Sequence, residues 1–454
     1  MKKVALHNLG CKVNAYETEA MQELLEKHGY EIVPFQEGAD VYIINTCTVT
    51  NMADRKSRQM LHKARKMNPD SIVVACGCYV QAKKDDIPEG IDIVVGNNKK
   101  QNLIEALEEY ERTHNADCNV TENEKNAKNQ ENDRKAEIKM EEIGKTKEYE
   151  NLHLTKPGDH TRAYIKVQDG CNQFCTYCII PYARGRVRSR SMEDVTEEVR
   201  TLAENGYKEV VLTGIHLSSY GVDFPKEERE SLLSLIQAVS RVEGISRIRL
   251  GSLEPRIITE EFAEGIAKLP KMCPHFHLSL QSGCDATLKR MNRRYDAAEY
   301  REKCELLRKY FENPALTTDV IVGFPQESEE EFEASRDFVD SINFYETHIF
   351  KYSKRQGTKA AKMDGQIPEH EKTRRSNIML ELNRKKMQRY EEGWLGKKVE
   401  VLFEEMTERD GKNYVTGHTK EYLRIGVPCE PEQADRWTNQ LKEIELTSLS
   451  QIMH

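Results

Sequence analysis

The chain has 454 residues, 38% hydrophobic and 32% charged, which is enough for about three soluble domains with true cores. Its net charge of -8 excludes a global electrostatic pull onto nucleic acid, so any RNA contact must come from local basic surfaces. The opening MKKVALHNLG is too short in apolar residues for a signal peptide or a membrane span, and the expected location is cytoplasmic.

Val4–Leu9 reads as a strand and Tyr16–Lys27 as an amphipathic helix. Val41–Asn45 is an apolar strand, Asn51–Lys66 a helix, and Ile72–Cys76 and Ile91–Val95 are strands before a helix at Gln101–Glu111. Short apolar strands alternating with helices predict a doubly wound parallel sheet, giving a first domain over 1–112. Residues 113–156 are rich in Asn, Glu and Lys, and this composition predicts a flexible polar linker with an incidental thiol at Cys118.

From residue 157 the alternation resumes. Strands are expected at Ala163–Gln168, Glu209–Thr213, Arg247–Gly251, His275–Gln281, Thr317–Val322 and Thr347–Tyr352. Helices are expected at Met192–Asn205, Ser231–Glu243, Thr259–Leu269, Asp296–Phe311 and Glu329–Ile342, followed by a basic helix at Glu369–Tyr390. Repeated β-α units predict a partial parallel barrel over 157–391. Val399–Glu405, Asn413–Thr419, Tyr422–Val427 and Ile444–Leu446 then read as short strands of a small all-β, OB-like module over 392–454.

Twelve cysteines in a chain expected in a reducing compartment favour metal binding or catalysis over disulfides. Cys171, Cys175 and Cys178 directly follow the first barrel strand. Three thiolates in one loop can each bind one iron of a [4Fe–4S] cluster and leave the fourth iron open to a small chelating molecule. A zinc site with a distant fourth ligand is the competing reading, and the surrounding barrel pattern argues against it. Thr213, Gly214, Ser252, Glu254, His277, Gln281, Asp319 and Gly323 fall at or just after later strands, where side chains reach the mouth of a parallel barrel. For each of them a hydrogen-bonded structural role is an equal alternative.

Three more cysteines share a topological position: Cys11 after the first strand, Cys47 after the second and Cys78 after the third. Ligands of open α/β sheets sit outside the carboxyl ends of the strands, so these loops can converge on one cluster. Cys76 competes with Cys78. It ends the run Val73-Val74-Ala75 and reads as a small buried hydrophobe, whereas Cys78 follows a glycine as Cys11 does.

The Cys-x3-Cys-x2-Cys spacing resembles that of the radical S-adenosylmethionine superfamily. The whole chain outside the linker resembles the methylthiotransferases. The matching pieces are Asn8–Cys11, Asn45–Val49, Gly77–Gln81, the barrel triplet, Pro181–Arg186 and Val322–Glu327, with a terminal module like a TRAM domain. The resemblance implies S-adenosylmethionine chelated by the open iron and cleaved to a 5′-deoxyadenosyl radical, with the aromatic Tyr177 near its adenine. It implies a second [4Fe–4S] cluster on Cys11, Cys47 and Cys78, where sulfur is methylated. It also implies an external electron donor such as flavodoxin or ferredoxin; no stable protein partner is inferred.

The Cys76-Gly77-Cys78 doublet resembles the branch that thiomethylates carbon 2 of N6-threonylcarbamoyladenosine at position 37 of tRNA. Alternatives are N6-isopentenyladenosine in tRNA, an aspartate of a ribosomal protein, or a non-catalytic iron–sulfur RNA sensor. The sensor leaves the barrel and the open iron unexplained. Candidate phosphate contacts are Arg55, Lys56 and Arg58, the run Arg184, Arg186 and Arg188, the pair Arg293 and Arg294, and Arg424; the long helix adds Arg374, Arg375, Arg384, Lys385, Lys386 and Arg389. From Glu391 onward there are 8 Lys and Arg against 13 Asp and Glu, so the terminal module is net acidic and would bind RNA by a few placed cations and aromatics.

Overall fold

A computed structural model describes residues 1–84, 86–116, 136–156 and 161–454. The chain divides into two units. One comprises Met1–Pro157, Asp169–Phe174 and Cys178–Arg188; the other comprises Gly158–Gln168, Cys175–Tyr177 and Ser189–His454.

Val41–Thr46 is buried at every position, and side-chain direction explains why. Successive residues of a strand point to opposite faces. Val41 and Ile43 pack with Met21, Leu25, Leu103 and Leu107, while Tyr42 and Ile44 pack with Leu61, Ala64 and Val80. Helices Lys12–Lys27 and Leu103–Ala116 thus supply one cover, and helix Asn51–Met67 helps supply the other. The strand order is Glu31–Ile32, Lys3–Asn8, Val41–Thr46, Ile72–Gly77, Ile93–Val95, Glu137–Lys139, with every pairing parallel. Register pairs Asn8 with Asn45 and Thr46 with Gly77, so three strands end level with one another.

The structure corrects the expected linker. Residues 117–135, including Cys118, and 157–160 lie outside the described residues. Residues 136–156 belong to the first unit: Glu137–Lys139 adds the sixth strand, and Leu152 and Leu154 are buried. Tyr16 donates to the Leu152 carbonyl at 2.7 Å, and the Glu150 carboxylate accepts from the backbone of Lys100 and Gln101. A composition averaged over the whole polar stretch conceals these few apolar anchors.

In the second unit, Arg162–Asp169, Glu209–Gly214 and Arg247–Leu250 pair in parallel, as do His275–His277, Ala315–Val322 and Glu346–Lys351. A parallel bridge between Leu253 and Leu278 connects the two sets. Their outward side chains, among them Ile165, Leu212, Ile248, Phe276 and Val320, share one core with helices such as Met192–Glu204 and Leu232–Ser240. The fourth strand is shorter than its sequence suggests, ending at His277, because the chain beyond it keeps only scattered ladder bonds such as Gln281 N–H to the Asp319 carbonyl at 2.8 Å. The tail forms an antiparallel sheet ordered Arg424–Pro428, Lys412–Thr419, Lys398–Arg409, Leu441–Glu445. Among the described residues no helix is long and apolar enough to cross a membrane.

Two candidate cysteine centres

The level strand ends of the first unit carry Cys11, Cys47 and Cys78 into one place. Gly10 has φ +115°, and a Cβ there would sit 3.1 Å from Cys47 Sγ. Gly77 has φ +92°, and a Cβ there would lie 2.5 Å from Asn45 Oδ1 and from the Thr46 carbonyl. The glycines before Cys11 and Cys78 are therefore required by left-handed backbone and close approach. Burial pushes the Cys47 thiol up to about 11, and the neighbouring Cys78 and Cys11 sulfurs add to the rise. Such thiols stay protonated until a metal displaces the proton. Cys76 instead points into the sheet core, 1% exposed, beside Ile43 and Val95.

Sequence reasoning missed what surrounds this centre. Arg184 is fully buried, and its guanidinium uses every N–H. Nε donates to Cys78 Sγ at 3.2 Å, Nη1 to Glu17 Oε1 at 2.7 Å and Asp169 Oδ2 at 3.1 Å, and Nη2 to Asn14 Oδ1 at 2.6 Å and Glu17 Oε2 at 3.0 Å. Lys100 Nζ lies 3.2 Å from Glu17 Oε2 and donates to Asn97 Oδ1 at 2.8 Å. Glu17 itself gave a signal: it is a carboxylate on the apolar face of helix Lys12–Lys27, between Val13, Ala20 and Met21. Three convergent soft thiols beside a buried cation suit a thiolate-bound iron–sulfur group, because the cation favours sulfur in its anionic form.

The loop between strand Arg162–Asp169 and helix Ile180–Arg184 bears Cys171, Cys175 and Cys178. In the first unit, Cys171 Sγ accepts from Gln173 N–H at 3.5 Å. In the second unit, Thr176 is tied to the Met291 and Arg290 carbonyls at 3.0 and 2.9 Å. Arg293 donates to Cys175 Sγ at 3.2 Å and to Tyr295 Oη at 2.9 Å. Three thiols in a loop of this length, one of them receiving a charged donor, again suit an iron–sulfur group. The Tyr177 ring stands edge-on to Phe324, with centroids 6.4 Å apart.

The strand-end positions divide. Gln281 is held at φ 71°, bonded to the Asp319 carbonyl. Glu254 accepts from Arg256 Nε at 2.9 Å. Its charge and that of Arg293 both bear on His216, a residue missed in the sequence, whose pKa burial pushes down to about 4. Thr213 is buried, and a Cβ on Gly214 would meet Gln168 Oε1 at 2.8 Å, so the close approach of Gln168 favours glycine at that position. Ser252 is exposed. Gly323 has a packing reason for being glycine: a Cβ there would meet Lys372 Cγ at 2.3 Å, while its N–H donates to Glu327 at 2.6 Å. Asp319 pairs with His277 at 3.2 Å.

Two of the expected phosphate contacts are buried. Arg184 and Arg188 are 0% exposed, and Arg188 lies 3.6 Å from Asp169 and donates to the Arg184 carbonyl. Arg293 is engaged by Cys175 and Tyr295. A run of arginines in sequence does not reveal which carboxylates the fold will bring to them. Arg424 donates to Glu405 at 2.9 Å and lines a cavity of about 330 Å³ with Arg162, Glu404 and His418. On the long helix, Arg375 pairs with Glu327 at 2.7 Å, Arg384 with Glu381 at 2.9 Å and Lys386 with Asp340 at 2.6 Å. Arg55, Lys56, Arg58, Arg186 and Arg294 remain exposed.

Residues 165–339 match the Radical SAM superfamily, and residues 3–96 match uncharacterized protein family UPF0004. The chain is 40% identical to the threonylcarbamoyladenosine tRNA methylthiotransferase MtaB of Bacillus subtilis, over 94% of this chain and 90% of that one. It is 40% identical to the Aquifex aeolicus protein of the same name, over 93% and 98%. It is 34% identical to a tRNA-2-methylthio-N(6)-dimethylallyladenosine synthase of Clostridium botulinum, over 97% and 94%. Among solved structures, the radical S-adenosylmethionine methyltransferase TsrM of Kitasatospora setae shares the fold, with a TM-score of 0.54 at 15% identity over 77% of this chain and 73% of that one.

Proposed function

We propose that this chain, which belongs to the radical S-adenosylmethionine methylthiotransferase family, places a methylthio group on carbon 2 of N6-threonylcarbamoyladenosine at position 37 of tRNA. The observation that carries the substrate is the 40% identity, over nearly the full length, to relatives named for that nucleoside. In this reading Cys171, Cys175 and Cys178 hold the [4Fe–4S] cluster that binds S-adenosylmethionine, and Cys11, Cys47 and Cys78 hold a second. Bound there, these groups supply reductive cleavage of the sulfonium and the sulfur to be transferred, chemistry that an unactivated aromatic C–H bond requires.

The protein's own residues position and tune. Arg293 donates to Cys175 and Arg184 to Cys78, each fixing its sulfur in place with a charged donor. Tyr177, Gln281 and Glu254 offer a ring face, an amide and a carboxylate for the cofactor's adenine, ribose and amino groups. Arg55, Lys56, Arg58, Arg186 and Arg294 neutralise tRNA phosphates from exposed positions. The tail sheet is read as a TRAM-like, OB-like module. The electron donor is external, of the flavodoxin or ferredoxin kind, and the location is cytoplasmic.

A second reading, thiomethylation of N6-isopentenyladenosine, has its own observation in the 34% identity to the dimethylallyladenosine synthase. Nucleoside mass spectrometry of tRNA from cells with and without the gene separates the two. Loss of 2-methylthio-N6-threonylcarbamoyladenosine, with accumulation of its unthiolated precursor, is the expected result. Loss of the isopentenyl product instead would move the substrate to the second reading.

A further inference from the structure

The second unit contains a nitrogen and oxygen cluster apart from any cysteine. His277, Asp319 and His348 lie on three adjacent parallel strands. Register sets Asp319 directly opposite His348, and His277 opposite Thr317, two residues back along the central strand. Neighbouring strands are about 4.8 Å apart, so side chains at such positions on one face meet. The face is common to all three: their neighbours Phe276, Val320 and Ile349 pack into the helix-covered core, which turns these three the other way.

One ligand atom from each residue lies within 4.8 Å of the other two. His277 Nε2 is 3.2 Å from Asp319 Oδ2, and the His277 and His348 rings stack with centroids 5.6 Å apart at 22°. His277 Nδ1 is 3.0 Å from Thr317 Oγ1. Glu346 Oε1 stands 3.6 Å from His348 Nδ1 and adds a second negative charge.

We propose that His277, Asp319 and His348 bind a single divalent transition-metal ion. Two imidazoles and one carboxylate form a three-ligand set that suits Zn²⁺, Fe²⁺ or Mn²⁺ and leaves positions open for water or an anionic oxygen of a ligand. Thr317 accepts from Nδ1–H and thereby turns the Nε2 lone pair of His277 to the ion, the usual arrangement outside a metal-bound imidazole. His348 is exposed, which gives the ion a way in. The set is harder than either group of thiols, so it selects a different metal from the same pool. The site does not depend on the identity of the nucleoside.

Mn²⁺ is the probe, because it prefers nitrogen and oxygen over thiolate. The full chain, purified anaerobically with its iron and kept oxidised, is titrated with Mn²⁺ while electron paramagnetic resonance counts the free ion. One Mn²⁺ bound per chain and displaced by Zn²⁺ is expected. His348→Ala and His277→Ala should each weaken it by at least about tenfold, and Thr317→Val by about 10–100-fold, because the hydrogen bond that orients the His277 ring is gone. Circular dichroism and iron content, unchanged in His348→Ala, show that folding is intact. Absence of stoichiometric binding, or binding that His348→Ala and Thr317→Val leave unaltered, overturns the site.

Discussion

Arg184 Nε lies 3.2 Å from Cys78 Sγ while the same guanidinium grips both oxygens of Glu17. A fully buried cation loses its hydration, and here Glu17 and Asp169 offset that loss. Removing the cation leaves two buried carboxylates short of their partner. Arg184→Met should therefore cost about 3–5 kcal/mol, read as a fall in the unfolding midpoint of anaerobic protein. Arg184→Lys should recover little, since one ammonium cannot reach Cys78, Asn14 and both carboxylates together. Loss of the positive charge should also shift the reduction potential of the centre on Cys78 to more negative values, visible in a redox titration. An unshifted potential would remove Arg184 from the tuning role.

Cys76 and Cys78 should separate cleanly. Burial pushes the Cys76 thiol up to about 12, so iodoacetamide at pH 8 should not label it in folded protein. Cys76→Ala should keep full iron content and cost about 1 kcal/mol of packing. Cys78→Ala should lose the iron held with Cys11 and Cys47 and keep that of the other three cysteines. Equal iron loss in both variants would contradict the assignment.

The two cysteine centres should fail differently. Cys175→Ala should abolish 5′-deoxyadenosine production in the presence of dithionite. Cys78→Ala should retain it while producing no methylthiolated nucleoside. Chromatography of both products from one reaction checks this, and cleavage persisting in Cys175→Ala would sink its role.

Exposed and paired cations should behave differently toward RNA. Arg55→Ala with Lys56→Ala should raise the KM for tRNA several-fold and flatten its salt dependence by about 0.9 in slope for each phosphate no longer neutralised. Arg384→Ala with Lys385→Ala should do neither, because Glu381 already partners both residues. Binding measured across a salt series distinguishes the pairs.

His216 gives a pH signature. Its ordinary pKa of 6.5 falls to about 4 in the fold because burial disfavours the cation. The unfolded chain therefore takes up a proton first as pH drops. Stability is fully present above 6.5 and is lost on the way down to 4, at up to about 1.4 kcal/mol per pH unit. His216→Asn should flatten that part of a pH–stability curve, measured by denaturant titration.

The parallel sheet, the strand-end placement of Cys11, Cys47 and Cys78, and the barrel alternation were all legible, because each leaves a local period or spacing. Short elements were not. Glu31–Ile32 and Glu137–Lys139 are too brief to show alternation, and the second lies in a polar stretch. The buried arginines were misread for a related reason. Arg184 and Arg188 look identical to Arg186 in sequence, and only the fold decides which side chain meets Glu17 or Asp169. His277 and His348 stand 71 positions apart, and no spacing rule connects them before the strands are laid side by side.

Glu17 and Arg184 are separated by 167 positions. A nascent chain emerges from its amino end at about 5–20 residues per second, so the carboxylate precedes its guanidinium by roughly 8–33 s of synthesis. For about the second half of that interval Lys100 is made and can pair with it. The amino-terminal sheet is thus complete in its strands well before its charges balance, and its sulfur pocket acquires its final electrostatics only when the loop of the second cysteine group has been made.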